Sequence, residues 1–184
     1  GNTVQVMSEP LNTGKWSLFA GNIDTGDGAS AIAARIKMST SDSVKNSVAV
    51  NTKNEIFIST LTGIRKVDPL TGNVTMYLQD GNGTQVGIPG NVTSSTRSIA
   101  YSGASNIVMD GDDLYITTTD RIYLVDTISN TIKVFAGGGT VVNTANPSEL
   151  YVWKHGAIEI DPGTKDLYLV NICNYAERNA YSFS

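Results

Sequence analysis

The chain has 184 residues, 40% of them hydrophobic, enough to bury a core as one domain, and no run of about 18 apolar residues offers a helical membrane span. Charged residues make up 16%, well under the roughly 25% usual in soluble domains; Ser, Thr, Asn and 18 Gly supply the polarity instead, a mixture that favours short strands and turns over helices. The net charge is −4 and the 13 basic residues are scattered singly, which excludes the clustered cationic face that nucleic acid requires.

In chain order, the first expected strand is Val4–Met7, and Pro10-Leu11 falls where Pro69-Leu70 stands later in the chain. Phe19-Ala20-Gly21 then closes a second strand. Val48 and Val50 alternate ahead of a turn at Asn51-Thr52-Lys53-Asn54. Glu55–Ser59, a break at Thr62-Gly63, Ile64–Val67, a turn at Asp68-Pro69-Leu70-Thr71-Gly72 and Val74–Leu78 complete a four-stranded meander. A second set of strands is expected at Ile107–Met109, Leu114–Thr118, Arg121–Val125 and Thr131–Phe135, and a third at Ala157–Ile160, Leu167–Val170 and Asn179–Phe183. The apolar residues Val48, Val50, Ile56, Ile58, Ile64 and Val67, with their copies, are expected to form the core, and Trp16 and Trp153 to pack beside it.

These sets repeat with one step. Phe19-Ala20-Gly21 recurs as Phe135-Ala136-Gly137 with Tyr77-Leu78-Gln79 midway, each 58 residues from the next. Ile56-Phe57-Ile58 recurs 58 residues on as Leu114-Tyr115-Ile116, then after 53 as Leu167-Tyr168-Leu169. A four-stranded sheet has two faces to cover, and copies stacked around an axis cover both. The expected fold is therefore all-β: a β-propeller of four-stranded antiparallel blades. A sandwich would not need the repeat.

The segment SVAVNTKNEIFIST (47–60) followed by GIRKVDPLTGNVT (63–75) resembles the blade pattern of NHL-repeat propellers. The lead-in FAGNIDTGDGASAIAARI (19–36) is similar to the Gly-Asp-Gly-x-x-Ala insert of long NHL repeats. Thr60-Leu61-Thr62-Gly63 and Thr118-Thr119-Asp120 stand where the family carries an Asp-Thr-Gly-Asn-His turn. The resemblance implies a single partial propeller over 1–184. Residues 1–21 would supply the third and fourth strands of a preceding blade, 44–79 and 104–137 would each be a blade, and 156–184 an incomplete one. Closed propellers have roughly four to eight blades, so the ring is expected to be incomplete. Either the chain is a slice of a longer propeller, or it self-associates, its N-terminal strands completing a partner's last blade.

Candidate chemistry is sparse. His155, the one histidine, precedes an inner strand where propeller enzymes place ligands, but no second donor accompanies it, so an ordinary loop residue is expected. Asp80-Gly81-Asn82-Gly83-Thr84 opens like a calcium loop but lacks the closing Glu. Asp110-Gly111-Asp112-Asp113 aligns with a hairpin turn, and Gly26-Asp27-Gly28 lacks the Lys-Ser/Thr of a phosphate loop. No cofactor is expected, with calcium the one alternative. Sequons at Asn73, Asn82 and Asn91 are expected on exposed turns and loops and are candidate glycosylation sites. Cys173, the single cysteine, lies past the strand Leu167–Val170 and can form no disulfide within the chain. The expected role is a non-enzymatic structural or protein-interaction module of a larger extracellular or cell-surface protein. Its partners would be protein segments completing the ring or neighbouring subunits, with no nucleic acid and no membrane insertion. The resemblance also admits part of a metal-dependent enzyme, an NHL-type lyase or a lactonase-like hydrolase.

Overall fold

A computed structural model describes residues 6–8, 17–20, 30, 31, 34, 47–60, 63–80, 90, 91, 98, 99, 106–118, 120–141, 146–152, 155–174 and 177–183. Strands β1 (Val6–Ser8) and β2 (Ser17–Ala20) pair as an antiparallel ribbon. The first sheet is an antiparallel meander of β3 (Val48–Val50), β4 (Ile56–Thr60), β5 (Gly63–Val67) and β6 (Val74–Asp80). Two-residue strands follow, β7 (Gly90–Asn91) and β8 (Ser98–Ile99). The second sheet is the meander β9 (Ile107–Asp110), β10 (Asp113–Thr117), β11 (Arg121–Asp126) and β12 (Thr131–Gly137). The third holds β13 (His155–Ile160), β14 (Leu167–Asn174) and β15 (Glu177–Phe183). The fold is all-β, its sheets open rather than closed into a barrel. Among the described residues no helix is long and apolar enough to cross a membrane.

Strands β7 and β8 are additions to the expected pattern. β8 lies parallel on β6, and β7 lies antiparallel on β12, so each meander gains a fifth strand. Both β6 and β12 are edge strands of their meanders, and an edge offers unpaired N–H and C=O groups to a passing segment.

The sheets stack face on face. Ala49, Phe57, Ile64, Tyr77 and Leu78 of the first pack on Ile107, Leu114, Ile116, Tyr123, Val125 and Ile132 of the second. The second sheet's other face, with Ile122, Ala136, Tyr115 and Phe135, packs on Ile158, Ile160, Leu167 and Leu169 of the third, and Leu150 and Val152 fill the same core. An edge-to-face aromatic pair recurs at equivalent positions with its members exchanged: Phe57–Tyr77 at 5.0 Å and Tyr115–Phe135 at 5.2 Å. Such a pair adds about 1 kcal/mol beyond burial, so the exchange keeps the contact while moving the hydroxyl.

Two expected core residues are not in the core. Val48 and Val50 are each 48% exposed, while Ala49 between them is buried. Register explains this: Val48 pairs with Ile58 and Val50 with Ile56, on the face turned away from the second sheet. Ala31 and Ala34 cover that face at Ile58, Val67 and Val74.

Tyr123 is 1% exposed, and its hydroxyl has no hydrogen-bond partner among the described residues. An orphaned buried hydroxyl costs free energy that phenylalanine does not incur. Tyr123→Phe is therefore expected to stabilise the chain by about 1 kcal/mol, seen as a raised urea midpoint at unchanged slope. A lowered midpoint would mean that the hydroxyl is bonded.

Candidate functional site

The first strands of the three sheets lie side by side, β3 against β9 and β9 against β13. Residues 47–49, 106–109 and 157–159 enclose a cleft of about 560 Å³ between them. Hydroxyls hold its rim. Ser47 Oγ accepts the Ile107 N–H at 2.7 Å, tying the first sheet to the second, and the Ser47 N–H donates to Ser59 Oγ at 2.8 Å. The second sheet repeats the device: the Asn106 N–H donates to Thr117 Oγ1 at 3.1 Å, and that hydroxyl donates to the Asn106 carbonyl. Ser59 and Thr117 are buried, 58 residues apart in sequence. A shared hydroxyl at the repeat step was the signal that could have revealed them. Among the described residues lining the cleft, Glu159 is the one ionisable side chain, and it is exposed. The rest of the described lining is uncharged, with Ser47 and Asn106 polar and Val48, Ile107, Val108, Met109 and Ile158 apolar.

The hairpins between first and second strands form a polar seam across the sheets. Thr52 donates to Asp112 Oδ1 from its hydroxyl at 2.6 Å and from its N–H at 3.2 Å. Asn51 Nδ2 donates to Thr127 Oγ1, which in turn donates to the Asp112 carbonyl. Lys165 Nζ lies 2.7 Å from Asp110 Oδ1, joining third sheet to second. The acidic run Asp110-Gly111-Asp112-Asp113 is thus a hairpin, as expected. Gly111, with φ 60°, takes the turn position where a side chain would be strained.

Protonation acts on this seam in two directions. Burial pushes the Asp113 carboxyl up, and the Asp126 charge adds to it, against Lys133; Asp110 and Asp112 raise it further. Burial is also the largest influence on Glu55 and acts upwards, but hydrogen bonds from Lys66 at 2.7 Å and Asn51 at 2.8 Å, with the charges of Lys66 and Lys53, hold its carboxyl below the usual range. A lowered carboxyl stabilises the fold above its unfolded value, and that contribution is lost as pH falls through the folded value. A raised one has the opposite sign: its contribution is present at low pH and is lost as pH rises. Asp113→Asn is expected to raise stability at pH 7 and leave it nearly unchanged at pH 3, whereas Glu55→Gln lowers it at pH 7. Urea titrations at both pH values check the pair; a stabilising Glu55→Gln would contradict the assignment.

The other expected sites are spread along the chain. His155 opens β13, its backbone paired with Asn171. Among the described residues no three His, Cys, Asp or Glu side chains lie together as a metal site. Asp80 ends β6, while residues 81–84, with Asn82, and Gly26-Asp27-Gly28 lie outside the described residues, as do Trp16 and Trp153. Asn73 follows the β5–β6 hairpin and is half-buried rather than fully exposed; its carbonyl accepts the Asp68 N–H at 3.0 Å. Asn91 ends β7, opposite Thr131. Cys173 lies inside β14, which runs on to Asn174, not past its end, and sits where the pairing with β15 slips register. No protein-family model matches the chain, and no curated protein matches it.

Proposed function

We propose that the chain is a partial β-propeller of the NHL-repeat type, acting as a rigid structural or protein-interaction scaffold in a larger extracellular or cell-surface protein. The observation that carries this reading is the stack itself. Three antiparallel sheets pack face on face, with their first strands adjacent around a cleft whose described lining carries one ionisable side chain, Glu159. Stacked four-stranded sheets with adjacent first strands are the arrangement of propeller blades around a channel. The polar groups near the cleft are engaged in joining strands and sheets, which serves rigidity. A scaffold needs such rigidity, since a preordered surface binds at lower entropic cost.

Electron microscopy of the protein tests the architecture: radially arranged blades around an axial channel support it, and a flat or extended stack overturns it. Metal analysis with lactonase and lyase assays tests the role. Stoichiometric zinc or calcium whose removal abolishes turnover would replace the scaffold with a metal-dependent enzyme. Expression in a eukaryotic secretory host tests the location, with glycan mass expected at Asn73, Asn82 or Asn91.

A further inference from the structure

One hairpin is built three times. Asp68-Pro69-Leu70-Thr71-Gly72, Asp126-Thr127-Ile128-Ser129-Asn130 and Asp161-Pro162-Gly163-Thr164-Lys165 each set an Asp first, a hydroxyl fourth and a left-handed residue fifth. In each, the Asp Oδ1 accepts the N–H groups two and three residues on, at 2.8 and 3.4 Å, 2.8 and 3.0 Å, and 2.7 and 3.1 Å. The fifth residue has φ 68°, 54° and 68° in turn. Gly72 adopts that conformation freely and Asn130 tolerates it, whereas a lysine is strained there. The third hairpin does hold a glycine, but at Gly163, two residues early, where φ is not positive. The turn itself therefore does not call for Lys165. What Lys165 adds is its ammonium, whose Nζ lies 2.7 Å from Asp110 Oδ1 in the second sheet.

Asp110 ends β9, and Lys165 lies in the hairpin that follows β13. These two first strands lie side by side, and Met109 of one and residues 157–159 of the other line the cleft. The pair thus joins two cleft walls at the same end. Asp110 also stands opposite Asp113, which stands opposite Asp126 on the next strand. Like charges directly opposite repel, and the Lys165 ammonium answers them. We infer that Lys165 is an ionic latch, held in a strained turn so that its ammonium fastens β13 to β9 and closes one end of the cleft. The side chains of Lys165 and Asp110 are 58% and 31% exposed, so the pair is open to salt and releases without disturbing the apolar core between the sheets. The latch rests on the adjacency of β9 and β13 and is independent of the scaffold reading.

Native-state hydrogen exchange at low ionic strength reads the latch. Lys165→Met keeps the strain and the stem but removes the charge, and should speed exchange along β13 about threefold. Asp110→Asn should do the same, and the two together no more than either alone. In about 1 M salt the wild type should exchange like the variants, and β3 and β4 should be unchanged throughout. Exchange at β13 that ignores the substitutions or the salt, additive effects in the double variant, or an equal change in β3 and β4 overturns the latch. In the Asp110→Asn background Lys165→Gly should raise the urea midpoint, because only the strain is then removed. A lowered midpoint there would show that the turn accommodates lysine, and would overturn the inference as well.

Discussion

Gly139→Ala is expected to cost about 3 kcal/mol, the sum of a steric clash and the loosening of a core leucine. A Cβ at Gly139 would fall on the backbone carbonyl of Glu149, and no rotamer change relieves a clash with main chain. Retreat of the backbone is blocked by hydrogen bonds on both sides. The Gly139 N–H donates to the Leu150 carbonyl at 3.1 Å, the Val141 N–H to Glu149 at 3.0 Å, and the Tyr151 N–H to Val141 at 2.8 Å. These bonds seat Leu150 and Val152, both buried, between the second and third sheets. Any relief of the clash therefore withdraws apolar area from that core. Gly72→Ala is the control: its φ is 68°, nothing lies within reach of a Cβ, and only backbone strain of about 1 kcal/mol is expected. Urea denaturation of both variants distinguishes the causes; equal losses would show that the approach of Glu149 is soft.

The strands were legible because the repeat is written in the residues that face the core. Phe57 and Tyr115, Tyr77 and Phe135, Ile58 and Ile116 sit 58 apart because each occupies the same place in its meander. The inner strands escape that step. Val50 pairs with Ile56, but Met109 pairs with Leu114, so the second hairpin is one residue shorter and Val48 corresponds to Ile107 at 59. The alternation of Val48 and Val50 read correctly as a strand but not as core. Alternation marks one face, and what covers that face is decided by chain far away in sequence. Strands β7 and β8 have two residues each, too short to carry any period.

Less of the cleft could be read, because its residues are defined by the meeting of three sheets. Ser47, Asn106 and Glu159 share no residue type, yet register brings them to one place. One glycine device was half visible. Gly137, in the recurring Phe-Ala-Gly, has φ 92°, and a Cβ there would stand 2.5 Å from the Asp120 carbonyl. The first sheet meets the same rung with Gly63, φ 139°, opposite Gln79. Each sheet places its positive-φ glycine beside an equivalent bulge, but on opposite strands. A search for a glycine at one fixed position therefore finds it in one sheet and misses it in the other.

The repeat also predicts a graded response at one position. Phe57→Ala is expected to cost about 4 kcal/mol, the range for a fully buried aromatic, because Phe57 is sealed between the first and second sheets and its ring meets Tyr77 edge-on. Tyr115→Ala should cost less, since Tyr115 is only partly buried against the third sheet, though it loses the contact with Phe135. Tyr168→Ala at the same position should cost little, since nearly half its surface faces water. Thermal melts of the three variants read the gradient. A cost at Tyr168 as large as that at Phe57 would mean that its ring is buried within its own chain.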